Sequence, residues 1–523
     1  MKKRIDIAFL NTESVKTLLI VNVVLLLIYF STITFWFEIS NPTLFVLLIL
    51  GQVFYLWQGL SHAHTIWDTD YIPKPLNPAC PSDPVDIFIT VAGEPLEVVR
   101  ETVLAAKAID YPNFKVHILN DGYVAKKDNW KEVEALATEL GVNCITRTIP
   151  GGAKAGNINN AIGVTKAPFI VIFDADHVPE PTFLQKTMPH MNDGKMGFVQ
   201  SPQYYKNSST NLTTTGAWEQ QQLFFGAICK GKNRHNSATM CGTNMVIRRE
   251  ALNEVGNICE WNIAEDFITG MFIHEKGWKS VYVPEILAKG LAPEDFLSYY
   301  KQQLRWAKGS LEVLFKFNPL FRKGLSFSQK IQYLSSASYY LSGVVVLLNA
   351  IIPLIYFFTG YVPFSSSTMA LVAAFMPYIL LTIYNLQISS NHTYTFRALK
   401  FSMASFWIHA TACIETIIGK ARGFSITSKT KLDGNFPSLV IPNILYVLIA
   451  LLGFTFALFR DGITPSLVTN TVWAFFYVLT FSVFIKAAIP EPRTLLSESL
   501  VKSGKIYRKV LRLKPTSDVS SVK

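Results

Sequence analysis

Several clusters in this sequence have residue types and spacings suited to chemistry. Asp174-Ala-Asp176 follows the apolar run Phe169–Phe173. Two carboxylates at i and i+2 at a strand end can share a divalent ion, and Mg²⁺ favours carboxylates together with phosphate oxygens. The same pattern also serves as an Asx turn or N-cap. Gly151-Gly-Ala-Lys-Ala-Gly-Asn157 is a small-residue loop opening a helical pattern, an arrangement suited to phosphate, with Lys154 adding a point charge. Asn120-Asp121-Gly122 ends another strand-like run and reads as a turn or as a ligand-binding strand end. Glu265-Asp266 opens a further helix. Carboxylates there complement the helix dipole, and an Asp there can also act as a base toward a bound hydroxyl. Gln302 and Arg305 share one helix face. Arg suits phosphate oxygens, and Trp306 beside it offers a flat surface for a sugar ring.

These residues need a scaffold. Pro84–Pro95 reads as a buried strand ending in a loop. A helix is expected over Glu97–Ile109, then a strand over Lys115–Leu119. This β-α-β unit predicts a doubly wound sheet, in which ligands bind at the carboxyl ends of the strands. Phe267–Lys276 reads as an amphipathic helix. The whole region from Trp67 to Lys323 alternates strand-like and helical patterns, as an α/β domain does.

The rest of the chain is unlike a soluble enzyme. Hydrophobic residues make up 50% of its 523 residues and charged residues only 16%, against about 25% in soluble domains. Disorder is excluded on the same ground. Thr17–Phe37 and Pro42–Leu60 are long enough to cross about 30 Å of hydrocarbon. Ile331–Phe396 lacks Asp, Glu, Lys and Arg, and fits two spans with a turn near Gly360–Ser367. Phe436–Phe459 and Gly462–Ile485 complete six spans. The net charge of +11 collects on one side, so the positive-inside rule puts both termini and the α/β domain in the cytoplasm. Arg397–Lys420 and Phe315–Tyr333 read as amphipathic interfacial helices. The six cysteines form no C-x-x-C pair and read as reduced thiols. Sequons at Asn207, Asn211 and Asn391 are expected to be unmodified on this topology.

The order of the clusters is more specific than any one of them. Asp121, then Asp174-Ala-Asp176, then Glu265-Asp266, then Gln302-Gln-Leu-Arg305-Trp306 resembles the D, DxD, D, QxxRW series of processive family-two glycosyltransferases of the bacterial cellulose synthase type. Met240-Cys241-Gly242-Thr243 resembles the family's FCG[ST] segment. Leu291–Asp295 resembles its approach to QxxRW, and Phe424-Ser-Ile-Thr427-Ser-Lys429 resembles its FxVTxK gating loop. Departures are Ala264 for the Thr of T-E-D, Asn120 for the first Asp of D-D-G, and Gly93 for the Asn near Glu94. Arg508 and Arg512 have R-x-x-x-R spacing but read as part of a basic juxtamembrane tail.

The resemblance implies a GT-A-type glycosyltransferase domain, a Rossmann-like mixed sheet, inserted in a helical transmembrane domain. The expected divisions are a two-span hairpin (1–66), the cytosolic catalytic domain (67–323), a channel half with interfacial helices and a gating loop at about 420–435 (324–488), and a basic tail (489–523). It implies that Thr90, Glu94 and Asp121 hold uridine, and that Lys154 and Asp174 support the diphosphate. Asp176, with Asp174, would ligate Mg²⁺ or Mn²⁺. Asp266, beside Glu265, would be the base. Gln302 and Arg305 would hold the pyrophosphate, with Cys241 and Trp306 at the acceptor. Phe424, Thr427 and Lys429 would close over the donor. The implied activity is polymerisation of a β-linked polysaccharide, cellulose from UDP-glucose, in the inner membrane. The alternatives are a β-1,3-glucan, mannan, chitin or hyaluronan-type synthase, or a non-processive lipid-linked transferase. The implied partners are the UDP-sugar, the growing polysaccharide, the bilayer and a periplasmic accessory subunit, without nucleic acid.

Overall fold

The computed structural model describes residues 12–365, 368–390, 392–420 and 436–489. Two apolar helices come first, α1 (Thr12–Ser31) and α2 (Pro42–Thr65). The start of α2 is set locally. The Asn41 side chain accepts from the Leu44 N–H at 3.1 Å, and Pro42 occupies the first turn, where its missing donor costs nothing.

The chain then builds a seven-stranded sheet from β1 (Val85–Val91), β2 (Phe114–Asn120), β3 (Asn143–Thr146), β4 (Phe169–Asp174), β5 (Met196–Gln200), β6 (Met245–Arg248) and β7 (Lys279–Tyr282). Their order is β7-β5-β6-β4-β1-β2-β3. All pairings are parallel except those of β6, which runs antiparallel to both neighbours. This is the expected mixed GT-A-type sheet. Every residue of β1 is buried, because the sheet is covered on both faces. Val85, Ile87, Ile89 and Val91 pack with Val99 and Val103 of α3 (Leu96–Lys107), while Phe88 packs on the other face with Ile158 of α4 (Ala153–Val164).

Register brings the chemistry to one edge. Thr90 of β1 pairs with Asp174 of β4, and Val91 pairs with Asn120 of β2. The carboxyl ends of three strands therefore converge. Beyond the sheet, α5 (Leu212–Leu223), a short helix α6 (Cys229–Lys232), α7 (Glu265–Glu275) and α8 (Phe296–Lys316) lead to the membrane half. That half comprises α9 (Phe327–Ser338), α10 (Ser342–Thr359), α11 (Thr368–Ser389), α12 (Phe396–Ala404), α13 (Phe406–Ile417), α14 (Ile441–Asp461) and α15 (Pro465–Ala488). Six helices among the described residues are long and apolar enough to cross a membrane: Val15–Trp36, Pro42–Thr65, Phe327–Thr359, Met369–Ser389, Pro437–Asp461 and Pro465–Ala488.

Three local expectations change. Phe315–Tyr333 is not one surface helix: α8 ends at Lys316, and α9 begins a longer apolar helix that runs to Thr359. Its polar face lies against α2, where the Trp57 indole donates to Ser338 Oγ at 3.0 Å and Thr65 Oγ1 donates to Gln332 Oε1 at 2.9 Å. Arg397–Lys420 is broken at Ser405 into α12 and α13, and its Phe401, Phe406 and Ile408 join the main core. α7 is not amphipathic. Phe267, Ile268, Met271 and Ile273 are all buried because the helix lies between two cores.

The larger core contains Phe267 and Tyr299 from the α/β domain together with Phe401, Tyr446 and Phe481 from the C-terminal helical half. A second contact joins α6 to α2, since a Cβ at Gly231 would collide with the Thr65 carbonyl. Gly231→Val should therefore lower stability by about 1–3 kcal/mol through overpacking. Thermal unfolding of the detergent-solubilised protein measures this, with Gly163→Ala, where a Cβ meets nothing within 4 Å, as the control.

Candidate active site

At the convergent strand ends, Lys154 Nζ donates to Asp174 Oδ1 and, at 2.8 Å, to the Gly242 carbonyl. Thr90 Oγ1 donates to Asp174 Oδ1 at 3.3 Å. Thr243 Oγ1 accepts from the Asp174 N–H at 2.9 Å. Lys154 stands in the first turn of α4, after the left-handed Gly152, so the helix dipole adds positive potential where the lysine stands. Gly242 has φ +76°, and a Cβ there would stand 2.8 Å from Asp266 Oδ2 and 3.5 Å from Lys154 Nζ. The Cys241–Gly242 turn thus lies between the sheet edge and the start of α7.

The charges in this region perturb one another. Burial, then the neighbouring Asp266, raises Glu265 to about 7. Burial also raises Asp266, against the pull of Lys154 and Arg305. Burial opposes the charge on Lys154, but Asp174, Glu265 and Asp266 outweigh it and raise its pKa. Burial, with Cys229 and Asp266 nearby, pushes the Cys241 thiol up, so Cys241 is a neutral wall and not a nucleophile.

Asp176 is fully buried, and its Oδ2 accepts from the Leu291 N–H at 2.9 Å. His177 Nδ1 stands 3.5 Å from Asp176 Oδ1. Ligand atoms of Asp174, Asp176 and His177 lie within 4.8 Å of one another, and both His177 ring nitrogens are buried without a hydrogen-bond partner among the described residues. Two carboxylates and an imidazole in need of a partner fit a divalent ion of the Mg²⁺ or Mn²⁺ type.

Among the remaining expected residues, Glu94 turns onto its own loop, where Oε2 accepts from the Ala92 N–H at 2.6 Å. Asp121 is held by a residue the motifs did not point to. Arg147 donates from Nε to Oδ1 at 2.8 Å and from Nη2 to Oδ2 at 2.9 Å. The same guanidinium also donates to the Gly151 and Ala153 carbonyls, so it fixes the glycine loop before α4. Phe424, Thr427 and Lys429 lie outside the described residues.

Asp266, Cys241, Gln302 and Trp306 line a cavity of about 1060 Å³. It extends past Tyr340 and Asn349 to Pro363 and Phe364, at the α10–α11 connection. There, Phe364–Ser365 pairs with Glu38–Ile39 of the α1–α2 connection. At the other end, Gln302 Oε1 is buried without a partner among the described residues. Thr90, Lys154 and Asp174 are not among the lining residues and lie across the Gly242 turn.

Fold and site together define a GT-A-type glycosyltransferase domain joined to a helical membrane region. Sequence comparison agrees: residues 81–309 match the family model Glycosyltransferase like family 2, and residues 253–459 match the family model Cellulose synthase. The chain thus carries a family-two-type glycosyltransferase domain that runs on into a cellulose-synthase-like membrane segment. It is 35% identical to Cellulose synthase 1 of Komagataeibacter xylinus over 75% of this chain and 26% of that protein. It is 30% identical to the UDP-forming cellulose synthase catalytic subunit of Pseudomonas fluorescens (strain SBW25) over 80% of this chain and 58% of that protein. The aligned part therefore spans about a quarter to three-fifths of these relatives' length. Among solved structures, a mannosyltransferase from Pyrobaculum calidifontis is a distant likeness. It has 16% identity and a TM-score of 0.48, over 72% of this chain and all of that one.

Removing Arg147 leaves the buried Asp121 carboxylate uncompensated. Arg147→Met should cost about 3–5 kcal/mol, read as a lowered unfolding midpoint. Arg147→Lys should recover only part of it, since an ammonium cannot form the fork.

Proposed function

We propose that this chain is a membrane-embedded, processive, inverting glycosyltransferase that polymerises cellulose from UDP-glucose and passes it into its own membrane cavity. The observation that carries this reading is the continuous cavity, which begins at Asp266 and Trp306 and reaches Pro363 and Phe364 among the apolar helices. A polymer too polar to cross lipid needs a protein-lined path, and a base at its mouth would extend a chain already threaded there. The topology follows, with the catalytic domain and both termini cytoplasmic in an inner membrane.

In this reading Thr90, Glu94 and Asp121 hold the uridine, with Arg147 fixing the Asp121 carboxylate. Lys154 and Asp174 support the diphosphate, as do Gln302 and Arg305. The acceptor sugar stacks on Trp306 beside Cys241. Asp266 takes the proton from the acceptor hydroxyl. The resulting oxygen attacks the anomeric carbon opposite the diphosphate, the bond from C1 to the diphosphate oxygen breaks, and UDP leaves. One displacement converts an α-linked donor to a β-linked product. Asp174, Asp176 and His177 would hold Mg²⁺ or Mn²⁺, which when bound supplies charge that stabilises the UDP leaving group. Phe424, Thr427 and Lys429 serve as the lid.

Reconstituted vesicles given radiolabelled UDP-glucose and Mg²⁺ test the reading. Cellulase-sensitive polymer is expected, and Asp266→Asn should reduce synthesis about 10²–10⁴-fold. Polymer cut only by β-1,3-glucanase would change the linkage. UDP release from another sugar nucleotide alone would change the donor. Single-sugar transfer to lipid would end the processive reading.

Chelation should stop synthesis, and either Mg²⁺ or Mn²⁺ should restore it. His177→Ala should raise the metal concentration for half-activity by about tenfold or more. Metal titration of the rate checks this, and an unchanged requirement would remove His177 from the ligand set.

Asp266 must be deprotonated to act, so activity is lost as pH falls through the raised titration of the Glu265–Asp266 pair. Arg305→Gln removes a positive charge that holds the Asp266 pKa down and should move the acid limb of the pH–rate profile to higher pH.

A further inference from the structure

A second cluster lies outside this site, where the C-terminal end of α2 meets the catalytic domain and α9. The His64 and His235 rings stand 4.4 Å apart between centroids. Ser328 Oγ, on α9, contacts His235 Nδ1 and lies 3.4 Å from His64 Nε2. Arg234 donates from Nη2 to the His64 carbonyl at 3.1 Å. An open cavity of about 270 Å³ is lined by Ala63, His64, Trp67 and Arg234.

Arg234 has a simple structural role, since it caps the last turn of α2. That uses Nη2, which also lies 3.4 Å from His235 Nε2; the N–H groups on Nε and Nη1 make no hydrogen bond among the described residues. Arg234 forms no ion pair among the described residues. The carboxylate nearest in sequence to Trp67, Asp68, is occupied in its own turn, where Oδ1 accepts from the N–H groups of Asp70 and Tyr71 at 3.2 and 3.1 Å. Burial, then His64 and Arg234, pushes His235 down to about 4, so Arg234 is the standing cation of this cluster.

Position narrows the ligand. α2 has 24 residues, or about 36 Å at 1.5 Å per residue, enough to cross about 30 Å of hydrocarbon. Its last residues and Trp67 then fall at headgroup depth, where Trp is favoured. Basic pockets between membrane helices on the cytoplasmic side suit anionic headgroups. We propose that the cavity formed by His64, Trp67 and Arg234 binds a phosphate group, carried by an anionic phospholipid of the adjoining leaflet. The bound phosphate would tie together α2, α9 and the turn at Asn233–His235. This rests on reading α2 as a membrane span with its C-terminal end in the cytoplasm.

The test uses the full chain in zwitterionic detergent, with phosphatidylglycerol or phosphatidylcholine added and retention read by native mass spectrometry. Inorganic phosphate forms a parallel arm, read by the unfolding midpoint. One phosphatidylglycerol should be retained in preference to phosphatidylcholine. Arg234→Gln should weaken retention roughly fivefold, the effect of about 1 kcal/mol per basic residue at an anionic surface. His64→Phe should act in the same direction. It keeps the backbone carbonyl that Arg234 caps, so its loss of binding is not a folding defect. Equal retention of both lipids, or unchanged binding in both variants, overturns the site. Stabilisation by inorganic phosphate with no further effect of phosphatidylglycerol overturns the lipid source. No donor sugar is present, so failure here leaves the polymerase reading standing.

Discussion

The rest of the site depends on one half-buried cation. Lys154 stands among Asp174, Glu265 and Asp266, and each of these partly desolvated charges is stabilised by the others. Register puts Asp174 at the sheet edge beside Thr90. Gly242, with no Cβ, allows Asp266 and Lys154 to approach the same turn. The loop before α4 sets where Lys154 stands, and Arg147 holds that loop to Asp121. The geometry is over-determined: sheet register, a glycine turn and a buried guanidinium fork each fix one side of the same ammonium group. In the proposed reaction such preorganisation would serve to stabilise the leaving diphosphate, because no dipole must reorient.

The parts legible in the sequence were those whose signal is local. Phe169–Phe173 running into Asp174 announces a strand end carrying a carboxylate, and the structure places it there. Length and the lack of charge located the six apolar helices. Arg147 was not legible because its partner stands 26 residues away, just past the end of another strand. Only the pairing of Asn120 with Thr146 brings the two together. His177 follows Asp176 directly, but its inclusion depends on a side chain folding back beside Asp174, which spacing alone does not encode. The break at Ser405 was invisible for a different reason. Arg397, Lys400, His409 and Glu415 suggested a surface helix, yet packing against the catalytic domain buries Phe401 and Ile408 completely, and tertiary burial overrides an amphipathic pattern.

The membrane half and the catalytic domain share one core, in which Phe267 and Tyr299 pack with Phe401 and Phe481. A hinged attachment would leave an interface that is small and polar. Here Tyr299 also donates to Gln220 and lies beside Ser405, so α5, α8 and the break between α12 and α13 are bound in one cluster. A displacement of α8 would move Gln302 and Trp306 with it, and both line the cavity that also meets the membrane helices. In the proposed reaction this rigidity has a consequence. The acceptor must advance by one sugar after each transfer while Asp266 stays in place. The movable partner is then the polymer, and rigid packing around a fixed base favours repeated addition at one point over reopening of the site between additions.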